Sequence, residues 1–129
     1  MKKLILAVIL VATLLLSVCL GACAGTANSS NPQTISANEA HQMIEGLDDF
    51  ILLDVRSVEE FQEGHVGGAL LIPVSELEVR AAEELPNKDT TIFIYCRSGN
   101  RSATAAQILA DMGYTKVYDI GGMPNWGSI

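Results

Sequence analysis

Apolar residues in this chain fall into short unbroken runs, separated by segments that carry helix start and stop signals. Phe50-Ile51-Leu52-Leu53-Asp54-Val55 is continuous but for one late acid, the pattern of a strand buried on both faces. Ala69-Leu70-Leu71-Ile72, stopped by Pro73, reads as a second buried strand. Thr91-Ile92-Phe93-Ile94-Tyr95 reads as a third, and it delivers the chain to Cys96. Lys116-Val117-Tyr118-Asp119 is a last short strand before Gly121-Gly122. Between these runs Ser36 with Glu39, Ser57 with Glu60 and Ser75 with Glu78 each have capping-box spacing and predict the start of a helix. The first of these helices runs toward Glu45 before Gly46, the second closes at Gly64, and the third passes Ala82 and ends at Leu85-Pro86. A fourth helix is predicted from about Ser102 to Met112, capped by Gly113. Strands alternating with short helices predict a three-layer α/β fold, a mostly parallel sheet of about five short strands flanked by helices.

One apolar run is of another kind. Met1-Lys2-Lys3 gives a basic start, Leu4 to Leu20 is apolar but for Thr13 and Ser17, and small residues follow. A basic segment, an apolar segment and a small-residue junction together read as a secretory signal covering residues 1–22. Leu20-Gly21-Ala22-Cys23 resembles the lipobox of bacterial lipoproteins, which implies acylation of Cys23 and an exported chain held to a membrane surface. Leu16-Ser17-Val18-Cys19 fits that motif less well, because Val18 is bulkier than the residue expected before the Cys. Ala24 stands where an Asp would signal retention at the inner membrane. The small, polar residues 23–33 read as a flexible tether, leaving 34–129 for one folded domain.

Charge narrows the partners. The 129 residues carry 8 Lys and Arg against 15 Asp and Glu, a net charge of -7, and losing Lys2 and Lys3 with the leader makes the remainder more acidic still. Nucleic-acid binding needs clustered Lys and Arg, so it is excluded as an expectation. The few arginines of the domain stand out in proportion, Arg97 and Arg101 above all. Cysteine usage points the same way. Cys19 leaves with the signal and Cys23 takes the lipid, so Cys96 alone remains as a thiol. Exported domains ordinarily spend cysteines in disulfide pairs, and a lone thiol is either an inert buried residue or a reactive one.

The segment Tyr95-Cys96-Arg97-Ser98-Gly99-Asn100-Arg101-Ser102 decides between these. A buried strand ends at a Cys, a polar loop with one glycine follows, and a helix begins. Ligands of parallel α/β sheets bind at the carboxyl ends of strands. A loop curling into a helix N-terminus aims several backbone N–H groups at one point, which stabilises an anion there. With a thiol at that point the anion is a thiolate, nucleophilic near neutral pH.

Together with the segments around it, this loop resembles the rhodanese homology domain over nearly everything from Ile35 to Trp126. Leu53-Asp54-Val55-Arg56, Glu59-Glu60-Phe61, Gly64-His65-Val66-Gly67-Gly68-Ala69 and Ile72-Pro73 match its upstream signature. Cys96 to Arg101 match its six-residue active loop, and Gly121-Gly122-Met123-Pro124-Asn125-Trp126 its closing element. The resemblance implies a sulfurtransferase working through a persulfide on Cys96, taking sulfur from a small anion such as thiosulfate and giving it to cyanide or a thiol. It implies no metal and no organic cofactor, and the expected state is a monomer. Arg97, Ser98, Gly99, Asn100 and Arg101 are then the active loop. Asp54 and Arg56 are supporting residues at the same sheet edge.

The surrounding residues carry plainer expectations. Arg97 reads equally as a donor-binding cation and as a solvated loop charge. Arg101 binds substrate, or pairs with an acid from another loop and fixes the shape of the site, or does both. Arg56 and Glu60 are spaced to pair across the start of the second helix, and Asp54 reads as a hydrogen-bonding residue of the fold. His65 reads as a turn element, since sulfur transfer scarcely needs a general base. Trp126 reads as a residue closing the core. Two other functions fit the same segments: a cysteine phosphatase or arsenate reductase on this fold, or a module that carries persulfide to a partner without turning over. Phosphatases of this kind resemble the pattern but have one more loop residue, and only four residues separate Cys96 from Arg101 here.

Overall fold

The computed structural model describes residues 31–123. The expected leader, Cys23, most of the tether and Trp126 lie outside them. Five strands, β1 (Gln33–Thr34), β2 (Ile51–Asp54), β3 (Leu70–Leu71), β4 (Ile92–Cys96) and β5 (Val117–Gly122), pair in the order β1-β5-β4-β2-β3, every neighbour parallel. The helices are α1 (Ala37–Glu45), α2 (Val58–Glu63), α3 (Leu77–Glu84) and α4 (Asn100–Asp111).

Two of the three expected capping boxes form. Ser36 and Glu39 start α1, and Ser57 and Glu60 start α2, each with reciprocal hydrogen bonds between side chain and backbone N–H. The third does not. Pro73 turns the chain into a 3-10 helix at Val74–Glu76, with the Glu76 N–H on the Pro73 carbonyl, so Ser75 already lies inside a turn when α3 begins. No side-chain hydrogen bond caps α3. Helix α4 starts at Asn100, two residues before the sequence suggests, because Gly99 and not a polar side chain is its cap. Gln33, expected as the last tether residue, pairs with Tyr118 in β1, the strand that period and composition did not announce.

Strand β4 shows why the sheet is central. All five of its residues are buried, and they alternate. Ile92, Ile94 and Cys96 face the layer of α3 and α4, packed with Leu53, Leu77, Ala81, Ala105, Ala106 and Leu109. Phe93 and Tyr95 face the layer of α1, with Ala40, Leu52 and Ile120. The period of two therefore places the nucleophile candidate and its preceding tyrosine in opposite layers.

The topology also fixes where a ligand can enter. From β2 the chain leaves through α2 toward β3 on one side, and from adjacent β4 it leaves through α4 toward β5 on the other. Connections that diverge from neighbouring parallel strands open a crevice at their carboxyl ends. Here that crevice opens beyond Asp54 and Cys96.

Candidate active site

Cys96 is the last residue of β4 and is paired with Gly122 of β5. Beyond it Arg97, Ser98 and Asn100 are exposed while the cysteine itself is fully buried. Gly99 turns the loop into α4 with φ +98°, a left-handed conformation that glycine adopts freely. That turn brings the Gly99 N–H to 3.0 Å from Cys96 Sγ. The Ser102 hydroxyl, buried one turn into α4, donates to the Gly99 carbonyl at 2.9 Å and so holds the turn.

Burial is the largest single influence on the Cys96 thiol and pushes its pKa up. Hydrogen bonds from the Ser102 hydroxyl and from the N–H groups of Ser102, Gly99 and Ser98 act against it and together prevail, leaving the thiol below its ordinary value. A hydroxyl has one proton to give. It donates to the Gly99 carbonyl beside the neutral thiol, and turning it toward sulfur favours the thiolate. The cause of the depression is thus hydrogen bonding into a helix N-terminus, as the loop pattern suggests.

The second wall of the crevice is α2. Arg101 reaches across to Glu60 with two hydrogen bonds, 2.6 Å to Oε2 and 2.9 Å to Oε1. This pair holds the Glu60 carboxyl well below its ordinary range, at about 2, with the capping bond from the Ser57 N–H adding to the effect. The pairing of Glu60 with Arg56 that their spacing suggests does not form. Arg56 turns instead onto Asp54, two residues before it, with Nε at 3.0 Å and Nη2 at 2.7 Å from the carboxylate, and Nη2 also donates to the Gly64 carbonyl at 2.7 Å. Both partners are buried. The strand end and the close of α2 are therefore clamped by one guanidinium.

Tyr95 completes the clamp. Its hydroxyl donates to Asp54 Oδ2 at 2.7 Å and accepts from the Val66 N–H at 3.1 Å. Its phenol is pushed up to about 12, first by burial and then by the neighbouring carboxylate, so it remains a donor. His65 stacks on Phe61, and its Nδ1 lies 2.9 Å from the Phe61 carbonyl, which makes it an element of the turn. Asp54, Arg56, Cys96 and the loop 97–101 do come together at one sheet edge. The sequence does not announce the acid that Arg101 meets, nor any role for Tyr95 beyond that of a strand residue. The first was accessible from Glu60 as the N3 acid of a box facing the same edge. The second was not, because nothing local distinguishes a strand tyrosine with a buried acceptor from one without.

Between α2 and the loop lies a cleft of about 410 Å³, lined by Arg56, Glu60, Glu63, Gly64, Arg97 and Met123. A parallel sheet, a buried and acidified cysteine at a strand end and a loop that turns the Gly99 N–H onto its sulfur make up this site. The chain belongs to the rhodanese-like domain family, whose family model matches residues 36–129. Among characterised proteins it is similar to the thiosulfate sulfurtransferase PspE of Escherichia coli K12, 44% identical over 71 residues, which span 55% of this chain and 68% of that protein. Among solved structures it is similar to a rhodanese with anions from E. coli, with 38% identity, TM-score 0.60, and 63% of this chain and 95% of that one covered. The human single-domain sulfurtransferase TSTD1 matches with 30% identity and TM-score 0.64, covering 74% of this chain and 96% of that one.

Proposed function

We propose that the protein is a sulfurtransferase that moves sulfane sulfur from thiosulfate, or a donor like it, to a thiophilic acceptor through a persulfide on Cys96. The observation that supports this most is the Gly99 N–H at 3.0 Å from a buried, acidified Cys96 sulfur. In the first half-reaction the Cys96 thiolate attacks the outer sulfur of thiosulfate. A Cys96 S–S bond forms, the donor's S–S bond breaks, and its electron pair leaves with sulfite. The loop N–H groups that favour the thiolate then face the persulfide anion in the same place. Arg97, exposed at the mouth, is the cation that meets the incoming dianion, while Arg101 is held by Glu60 and shapes the loop.

A six-residue loop from Cys96 to Arg101 leaves less room for a tetrahedral oxyanion than the longer loop of phosphatases. The deciding experiment is thiosulfate:cyanide transfer by the purified chain beside a Cys96→Ser variant, with mass analysis of the enzyme. Turnover that vanishes in the variant, and one added sulfur atom on Cys96, are expected. A folded protein with no turnover and no added sulfur sinks the reading, and phosphatase and arsenate assays would follow. The same reading places the domain at the cell envelope on a lipid carried by Cys23. Its test is fatty-acid labelling of the expressed protein, lost in Cys23→Ser.

A further inference from the structure

The cleft beside the loop is larger than a small donor anion needs, and its charges are not all accounted for. Of the four charged side chains that line it, two are committed. Arg56 is held by Asp54 and the Gly64 carbonyl, and Glu60 by Arg101. The other two, Arg97 and Glu63, are exposed and make no ion pair or hydrogen bond with any described residue. One open cation therefore belongs to the loop that holds the nucleophile. One open carboxylate belongs to the far wall, at the last residue of α2. Glu63 is unhelpful to a dianionic donor, whose approach it opposes. It fits a ligand that carries a positive group at one end and a negative group at the other.

We propose that this cleft receives the sulfur acceptor and that the acceptor is a small aminocarboxylate thiol, with its carboxylate toward Arg97 and its ammonium toward Glu63. A volume of about 410 Å³ leaves ample room for a ligand of amino-acid size. The inference rests on the persulfide reading above. In the step it describes, the acceptor thiolate attacks the outer sulfur of the Cys96 persulfide. A new S–S bond forms on the acceptor and the bond to Cys96 Sγ breaks. Cys96 leaves as the thiolate that its loop favours, and the negative charge on the outer sulfur goes with the product persulfide. No oxidant or reductant is consumed.

The test isolates this second half-reaction. The full chain is loaded with thiosulfate, freed of excess donor, and mixed with cysteine, 3-mercaptopropionate, cysteamine or 2-mercaptoethanol, with rates compared at equal thiolate concentration. Cysteine should discharge the persulfide about threefold to fivefold faster than the three thiols that lack one or both charges, the range open to solvent-exposed ion pairs. Glu63→Gln should slow cysteine and cysteamine by a similar factor and spare 3-mercaptopropionate. Arg97→Gln should slow cysteine and 3-mercaptopropionate and spare cysteamine. Glu78→Gln, which removes an acid outside the cleft, controls for net charge. Equal rates for all four thiols, or a Glu63→Gln effect shared by all four or reproduced by Glu78→Gln, would overturn the acceptor assignment while leaving sulfur transfer intact. If no persulfide forms on loading, the parent reading fails and the acceptor assignment fails with it.

Discussion

At the scale of single residues, reactivity depends on whether hydrogen bonds to sulfur outweigh the cost of burying it. They do at Cys96, whose pKa is lowered despite full burial. Activity limited by the thiolate should therefore rise with pH, with a midpoint below the 9.0 of an ordinary thiol. The sign follows from the depressed value, since the reactive anion is lost only as pH falls through it. A pH profile of kcat/KM for the donor, or of Cys96 alkylation, checks this. Gly99→Ala should raise that midpoint. An alanine at φ +98° costs about 1–2 kcal/mol in backbone strain, and a relaxed turn draws its N–H away from Sγ. Thermal unfolding reads the strain and the pH profile reads the sulfur. Ser102→Ala should also raise the midpoint, at a cost of about 1 kcal/mol for the lost hydrogen bond to the Gly99 carbonyl.

At the scale of elements, two clamps hold α2 against the loop and the sheet. One is the Glu60–Arg101 pair, which is partly exposed, so its removal in Glu60→Gln should cost only about 1 kcal/mol. Because the Glu60 carboxyl is depressed to about 2, this contribution is present above its ordinary 4.5 and is lost as pH falls toward 2. Unfolding followed between those values should show a slope in the native sequence that is reduced in Glu60→Gln. The other clamp is buried. Asp54→Asn leaves the Arg56 guanidinium without its counter-charge and should destabilise by about 3–5 kcal/mol. Tyr95→Phe, which removes one hydroxyl from the same group, should cost about 1 kcal/mol. Chemical denaturation of the two variants gives the comparison.

Elements were also where the sequence was readable or not. Runs of apolar residues located β2 to β5, and the boxes at Ser36 and Ser57 located two helices, because each is a local pattern with a local cause. The box at Ser75 failed because Pro73 had already turned the chain, and two-residue β1 has too few side chains to show a period. Cys96 and its loop were legible from spacing and resemblance. The partners of Arg56 and Arg101 were not, since spacing along a helix says nothing of an acid two residues back in a strand or 41 residues away.

At the scale of the whole molecule, charge sets a condition on the donor. With 15 acidic residues against 8 basic, the chain repels an anion at long range and attracts it only at the arginines of the mouth. Salt shortens the reach of that repulsion from about 30 Å at 0.01 M to about 8 Å at 0.15 M. Over this range kcat/KM for thiosulfate should rise. A fall would mean that Arg97 dominates the approach.

The depth of Cys96 has a consequence for what the protein can be harmed by. A sulfur with no accessible surface, beneath an exposed loop, cannot meet the sulfur of a second copy face to face. Reagents small enough to pass Arg97 are expected to reach it faster than bulky thiols or other protein surfaces do. Under mild oxidants the chain should therefore stay free of Cys96-linked dimers on non-reducing gels, and small alkylating agents should outpace large maleimides at this site. Depth, as well as charge at the mouth, then bears on which reagents reach the sulfur that the fold activates.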